Sequence, residues 1–204
     1  MMKNIIKYLC LAGLAGLLSG CKNTPPEVLN WKPDGKVLIV CYSESCNQNT
    51  LTVAKWIREL TNGSLHQIRM KTPYSKEYRK VLKESKHHLD NRIFPEILPF
   101  DGDIKEYDII FIGSPVWYGT FAPPLESFIR KYDFSGKTVI PFCTHGGGGA
   151  GKIYEDLKKI LPGAEVKPGL TVKGSNIIER TFKRGTKNKS SKEEIIHFLN
   201  RIKQ

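Results

Sequence analysis

Residues 36–50 read KVLIVCYSESCNQNT. The first seven, Lys36–Tyr42, are a continuous apolar and β-branched run without alternation, the pattern of a strand buried on both faces. Hydroxyl and amide side chains follow, with one Glu and one Cys among them. They lead into Val53, Trp56, Ile57 and Leu60, whose i, i+3, i+4, i+7 spacing marks an amphipathic helix ending near Asn62-Gly63. A buried strand that passes through a short polar loop into a helix is the opening of a β-α-β unit.

The rest of the chain repeats the unit. Leu65–Met70 is shorter and more polar, suited to an edge strand, and Tyr78, Val81, Leu82, Ser85 and Leu89 predict a helix after it. Tyr107–Gly113 is the second strongly buried strand. Pro123-Pro124 starts a helix carried by Leu125, Phe128, Ile129 and Tyr132. Lys137–Cys143 reads as a strand despite Pro141, which removes a ladder donor. Ile153, Leu157, Ile160 and Leu161 form a helical stripe stopped by Pro162-Gly163. Leu170–Val172 is short and strand-like, and Ile195, Phe198, Leu199 and Ile202 close the chain as a helix capped by Ser190 or Ser191. Strict β-α alternation predicts an α/β fold: a five-stranded parallel sheet, order 2-1-3-4-5, with helices on both faces. Ligands of such sheets bind at the carboxyl ends of the strands, where strand order reverses. That places the weight on the loops after Tyr42, Gly113 and Cys143.

The N-terminus reads as an address. Lys3 and Lys7 precede an apolar run from Tyr8 to Leu18, too short for a comfortable membrane span and suited to a signal peptide. Leu18-Ser19-Gly20-Cys21 looks like a bacterial lipobox, in which Cys21 is lipidated; a plain secretory signal or an anchor helix are the other readings. The expected organisation is a lipoprotein signal peptide over 1–20, a Pro-rich tether over 21–35 and a globular domain over 36–204. The expected location is the bacterial cell envelope, lipid-anchored and extracytoplasmic.

A formal charge of +12 falls to +10 without Lys3 and Lys7. Lys173, Arg180, Lys183, Arg184, Lys187, Lys189 and Lys192 are opposed locally by Glu179 alone. Such a run is either a solvated surface loop or an attractor of anionic headgroups or an acidic partner. Nucleic acid is not expected as a partner of a lipoprotein. Five Cys without a CxxC pair argue against a zinc ribbon and a dense disulfide scaffold. Cys41 and Cys143 fall on strands that a third strand should separate, so no bridge is expected between them. His66, His87, His88 and His197 lack the company of metal ligands.

Three loops then meet at one rim. Loop 1, residues 43–50, offers Ser45, Cys46, Asn47, Gln48, Asn49 and Thr50 at a helix N-terminus, where free N–H groups and the helix dipole favour a phosphate monoester. Ordinary capping by Asn49 or Thr50 is the alternative. Loop 1 contains neither GxxxxGK[ST] nor GxGxxG, which argues against a Walker loop and a dinucleotide fingerprint there. Loop 2 carries Ser114, Pro115, Val116, Trp117, Tyr118 and Gly119; its adjacent aromatics suit a flat ring, or Trp117 caps the core. Loop 3 carries Thr144, His145, Gly146 and Gly147 at the head of four glycines, each costly to order and useful where backbone passes close to a ligand. Together they describe a pocket for a phosphate-bearing planar heterocycle with several carbonyl oxygens, for which FMN is the economical answer.

Over about residues 36–204 the chain resembles the flavodoxin family. Ser45-Cys46-Asn47-Gln48-Asn49-Thr50 aligns with the family's phosphate loop, Gly113–Gly119 with its second loop and Thr144–Gly147 with its third. Gln48 stands where the family usually has Gly, and Glu44 lengthens the loop and sets a carboxylate beside the phosphate site. The family's stacking Tyr is absent between residues 144 and 153. The resemblance implies FMN as cofactor and electron transfer as activity, with no catalytic residue and no metal. Ser114–Gly119 and Thr144–Gly147 would supply the backbone groups that tune the flavin, and Trp117 or Tyr118 the stacking ring. It further implies a redox partner protein and a monomer. Two other functions fit the same scaffold: an FMN-dependent NAD(P)H:quinone-type reductase, and a surface lipoprotein without flavin.

Overall fold

A computed structural model describes residues 29–44, 47–178 and 191–202. The signal-peptide and lipobox readings, Cys21 included, lie outside these residues, as do Ser45, Cys46 and most of the basic run.

The sheet is built on β1 (Val37–Tyr42), β2 (Ser64–Ile68), β3 (Ile109–Trp117) and β5 (Thr138–His145), with two short strands, β6 (Glu165–Val166) and β7 (Leu170–Lys173), at one edge. Its order is β2-β1-β3-β5-β6, and β7 pairs with β5 further along. All these pairings are parallel. The expected 2-1-3-4-5 order is present, with its fifth position divided between β6 and β7. β1 is buried at every residue, whereas β2, the edge strand, is buried only at Ile68.

That divided edge explains how β5 tolerates a proline. Pro141 pairs with Ile112 on the β3 side. On the other side β6 ends opposite Val139 and β7 begins opposite Phe142, so Pro141 faces the interruption. The missing donor is set where no ladder partner waits for it.

Alternation along the strands sends side chains to two cores. Leu38, Val40, Tyr42, Ile110 and Ile112 pack with Leu125 and Phe128 of α3 (Pro123–Lys131) and with Ile153 and Leu157 of α4 (Ile153–Ile160). Val37, Ile39, Cys41, Ile109 and Phe111 pack with Val53 and Ile57 of α1 (Asn49–Thr61) and with Ile195 and Leu199 of α6 (Ser191–Arg201). Helix α2 (Tyr78–Asp90) lies beside α3, and α5 (Gly174–Ile178) follows β7 directly. Cys41 and Cys143 belong to different cores, with β3 between their strands. Burial pushes the Cys41 thiol up to about 12, so it is a packing group at neutral pH.

The packed body begins before Lys36. Trp31 is 7% exposed and meets Phe111 edge-on at 6.0 Å. The Asn30 N–H donates to Asn200 Oδ1 at 2.8 Å. The last turn of the expected tether is therefore fixed to the α1/α6 side of the sheet.

Candidate functional site

Loop 1 leaves β1 at Tyr42 and enters α1 through Gln48. Gln48 sits at φ 44°, ψ 40°, in the left-handed region, and caps α1 without a side-chain hydrogen bond. This accounts for the family's glycine there: the turn needs a conformation that costs a side-chain residue about 1–2 kcal/mol. Capping by Asn49 or Thr50 is not what the geometry shows. Thr50 Oγ1 instead meets Thr144 Oγ1 at 2.8 Å, both residues buried, tying loop 1 to loop 3. Ser43 Oγ and Asn49 Oδ1 are buried without a partner among the described residues. Polar atoms in that state cost about 1–3 kcal/mol each unless something satisfies them. One of them, on Asn49, stands at the α1 N-terminus, whose first turn carries no acidic residue. A phosphate ester with a polyhydroxyl tail fits this set: helix amides for the anion, hydroxyls for Asn49 Oδ1.

Glu44 is engaged by neighbours on β1 and just past β2. Its carboxylate receives the Tyr42 hydroxyl at 3.4 Å and faces Arg69 at 3.9 Å, on the β2 side. Burial and this carboxylate both push the Tyr42 phenol up, burial more strongly.

Loop 2 is less of a loop than its sequence suggests. β3 runs on through Trp117 and pairs antiparallel with β4 (Thr120–Phe121). Tyr118 at φ 51° and Gly119 at φ 81° form the turn between them, the positive pair of a type I′ hairpin. Gly113 is required lower down, since a Cβ there would lie 2.0 Å from the Phe142 ring. The Ser114 hydroxyl is buried in the hairpin base, accepting from the Ala122 N–H and donating to the Pro115 carbonyl, both at 2.9 Å.

The two aromatics part company. Trp117 is half-buried, edge-on to Tyr42 at 5.8 Å and tilted against Tyr74 at 5.7 Å. Tyr118 is 49% exposed; its hydroxyl donates to the Leu82 carbonyl of α2 at 2.7 Å, and Lys86 Nζ stands 5.7 Å from its ring. Of the two, Trp117 is the ring turned into the molecule.

Loop 3 is organised by His145. Its Nδ1 accepts from the N–H groups of Gly147 and Gly149, each at 3.0 Å. The Gly147 amide expected to face a ligand carbonyl is thus spent on the imidazole. Loop 3 also locks onto the hairpin. The Lys152 N–H donates to the Gly119 carbonyl at 2.6 Å, and a Cβ on Gly151 would lie 2.3 Å from that same oxygen. Around Gly146, Gly147 and Gly148 a Cβ would meet nothing within 4 Å, which leaves space on the ligand side of the loop. Tyr154, just past the stretch where the family's stacking Tyr is missing, does not replace it. Its hydroxyl meets Thr171 Oγ1 at 2.7 Å and its ring packs where a Cβ on Gly169 would fall.

A cavity of about 540 Å³ opens at the same rim. β1 contributes Tyr42, loop 1 Glu44 and Gln48, and loop 2 Trp117 to its wall, and loop 3 contributes nothing. The remainder comes from the β2–α2 connection and α2, through Arg69, Tyr74 and Leu82 among others. The sequence placed Leu82 on a helix but pointed to none of these three residues as part of a site. Their signal was positional: Arg69 and Tyr74 follow a parallel strand at the end of the sheet where ligands bind.

A family model described as flavodoxin matches residues 36–187. The chain belongs to the flavodoxin family. Among solved structures, a flavoprotein in complex with FMN from Lactobacillus acidophilus NCFM is 25% identical, covering 73% of this chain and 99% of its own, with a TM-score of 0.58. A candidate flavoprotein from Bacteroides eggerthii DSM 20697 is 26% identical over 72% of this chain and 96% of its own, TM-score 0.63. A second, from Bacteroides uniformis ATCC 8492, shares the fold at 23% identity and a TM-score of 0.67, over 82% of this chain and 99% of its own. No curated protein matches. Within the flavodoxin fold, the loop 2 hairpin, bonded to loop 3 through Lys152 and Gly119, and the Thr50–Thr144 bond tie the three loops together at one rim.

Proposed function

We propose that this flavodoxin-family chain binds FMN at the three-loop rim and carries electrons at the bacterial cell envelope. The observation that carries the reading is the pair of buried polar atoms at the two ends of loop 1, Ser43 Oγ and Asn49 Oδ1, unpartnered among the described residues. Asn49 opens α1, whose free N-terminal amides suit a phosphate. The FMN complex of a protein 25% identical supports the choice of flavin. Residues 45–50 would hold the phosphate and ribityl tail. Trp117, Thr144 and the open side of Gly146 and Gly147 would border the ring. FMN supplies reversible uptake of one or two electrons. The chain's own residues bind it, restrict water at one face through Trp117, and set the charge around it.

The N-terminal sequence supports an anchor: Cys21 would carry the lipid and hold the domain outside the cytoplasm, where pyridine nucleotide is scarce. That disfavours the NAD(P)H reductase reading and favours a protein redox partner, with the domain acting as a monomer. Titration of the apoprotein with FMN is the test, expected to quench flavin fluorescence at one equivalent and to give a yellow protein. Protein that stays colourless with FMN at high micromolar concentration overturns the electron-carrier reading in favour of a flavin-free lipoprotein. Mass spectrometry of the protein from bacterial membranes tests the anchor, expected as diacylglycerol on an N-terminal Cys21.

A further inference from the structure

The cavity walled by α2 is large enough for a guest of its own. At about 540 Å³ it lies within the usual range of small-molecule sites, about 300–1,000 Å³. Its wall is chemically two-sided. Trp117, Tyr42 and Tyr74 bring three rings together, at 5.8 and 5.7 Å between centroids, and Val81 and Leu82 close the apolar side. The partly exposed rings of Trp117 and Tyr74 offer faces and edges to a flat conjugated guest, backed by the buried Tyr42. The phenol of Tyr74 is already bound to His88 Nδ1 at 2.8 Å, so Tyr74 presents its ring more than its hydroxyl.

The polar side is dominated by Arg69. Its guanidinium is half-exposed, and its one ion-pair contact among the described residues is Glu44 at 3.9 Å, beyond hydrogen-bond reach. Glu44 in turn has the Tyr42 hydroxyl on its other oxygen. Most of the guanidinium's fork of donors, matched to a carboxylate, thus remains unspent at the cavity wall. Lys76 adds a second cation to the same wall.

The geometry points to a second binding site here, for a small aromatic carboxylate of two or so fused rings, its carboxylate on Arg69 and its rings against Trp117 and Tyr74. The site stands on the cavity and not on the flavin reading.

The probes are 2-naphthoate and its uncharged isostere 2-naphthamide, titrated calorimetrically into the full chain with and without FMN. Expected is saturable one-to-one binding of 2-naphthoate, with 2-naphthamide about tenfold weaker, the scale of one charge-assisted hydrogen-bonded contact. Arg69→Gln should reduce 2-naphthoate to the level of the amide while leaving 2-naphthamide affinity unchanged. Leu82→Trp, at a half-exposed wall position, should fill the cavity and abolish both. Equal affinities for the two probes, indifference to Arg69→Gln, or binding that survives Leu82→Trp would overturn the proposal. Displacement of 2-naphthoate by FMN would also overturn it, by making the cavity part of the flavin cradle. A chain that refuses FMN yet shows the naphthoate pattern keeps this site and loses the flavin.

Discussion

Gln48 holds a backbone conformation that suits it poorly. At φ 44° its Cβ is crowded, and a glycine would relieve about 1–2 kcal/mol. Glycine also loses more freedom on folding, about 0.5–1 kcal/mol, which offsets part of the gain. Gln48→Gly is therefore expected to stabilise the protein by roughly 0.5–1 kcal/mol in urea denaturation. No change, or a loss, would mean the Gln48 side chain makes a contact worth as much as the strain. The glycines of loop 3 divide in the same way. Gly151, at φ 57° with the Gly119 carbonyl against it, is there for the fold. Gly151→Ala should cost about 2 kcal/mol or more. Gly146 has open space around it. Gly146→Ala should leave the apoprotein's urea midpoint unchanged and weaken FMN binding, because a methyl would enter the volume kept for the ligand. An alanine harmless to both properties would remove the ligand argument for that glycine.

Elements differ in how plainly their sequences announced them. β1, β3 and β5 were legible because a strand buried on both faces must be apolar without interruption, and no other element of that length carries such a run. The β3–β4 hairpin was not. β4 has two residues, and its turn is Tyr-Gly instead of the Asn-Gly that usually marks a type I′ hairpin, so Trp117 read as loop when it ends a strand. The cavity wall was equally hidden, because Arg69, Tyr74 and Leu82 meet only once α2 docks beside the hairpin. β2 carries an energetic liability that also shows only in the fold. His66 lies between the rings of Phe100 and Phe128, at 4.9 and 5.5 Å, with Nε2 buried and unpartnered among the described residues. Desolvation lowers its pKa below the ordinary 6.5. The unfolded chain then takes up the proton first as pH falls, so stability is lost from about pH 7 down through the folded value. His88, also lowered, adds loss of the same sign. The exposed carboxylates Glu59, Glu96, Asp133 and Glu165 begin to contribute only below about 4.5, since each is lowered from its ordinary value. Between pH 7.5 and 5.5 the slope of stability thus belongs to histidines. His66→Phe should raise stability at pH 7.5 by about 1 kcal/mol, removing an unsatisfied buried nitrogen. It should also flatten, without abolishing, the loss toward pH 5.5 in urea titrations. An unchanged slope would place the titration elsewhere.

The molecule as a whole is a cation wrapped around a site proposed for a cofactor that becomes more negative on reduction. At a formal +12, or +10 without Lys3 and Lys7, the chain's field favours the reduced, anionic flavin. In an acidic member of the family the same Coulomb interaction opposes it. Arg69 and Lys76 set two cations on the cavity wall at the rim itself. The FMN-loaded protein is therefore expected to have a less negative potential for full reduction than acidic flavodoxins under the same buffer. Salt gives a cleaner sign than the absolute value. Mobile ions screen charges beyond about 10 Å at 0.1 M, and far less at low salt. Raising NaCl from about 0.01 to 0.5 M shrinks the Debye length several-fold, strips away the favourable field and should drive this potential more negative. An acidic flavodoxin loses a repulsion and shifts the other way. Redox titration against reference dyes at several salt concentrations reads the slope directly. A flat or positive slope here would mean that the backbone dipoles and the Glu44 carboxylate at the rim, and not the molecule's net charge, govern the flavin.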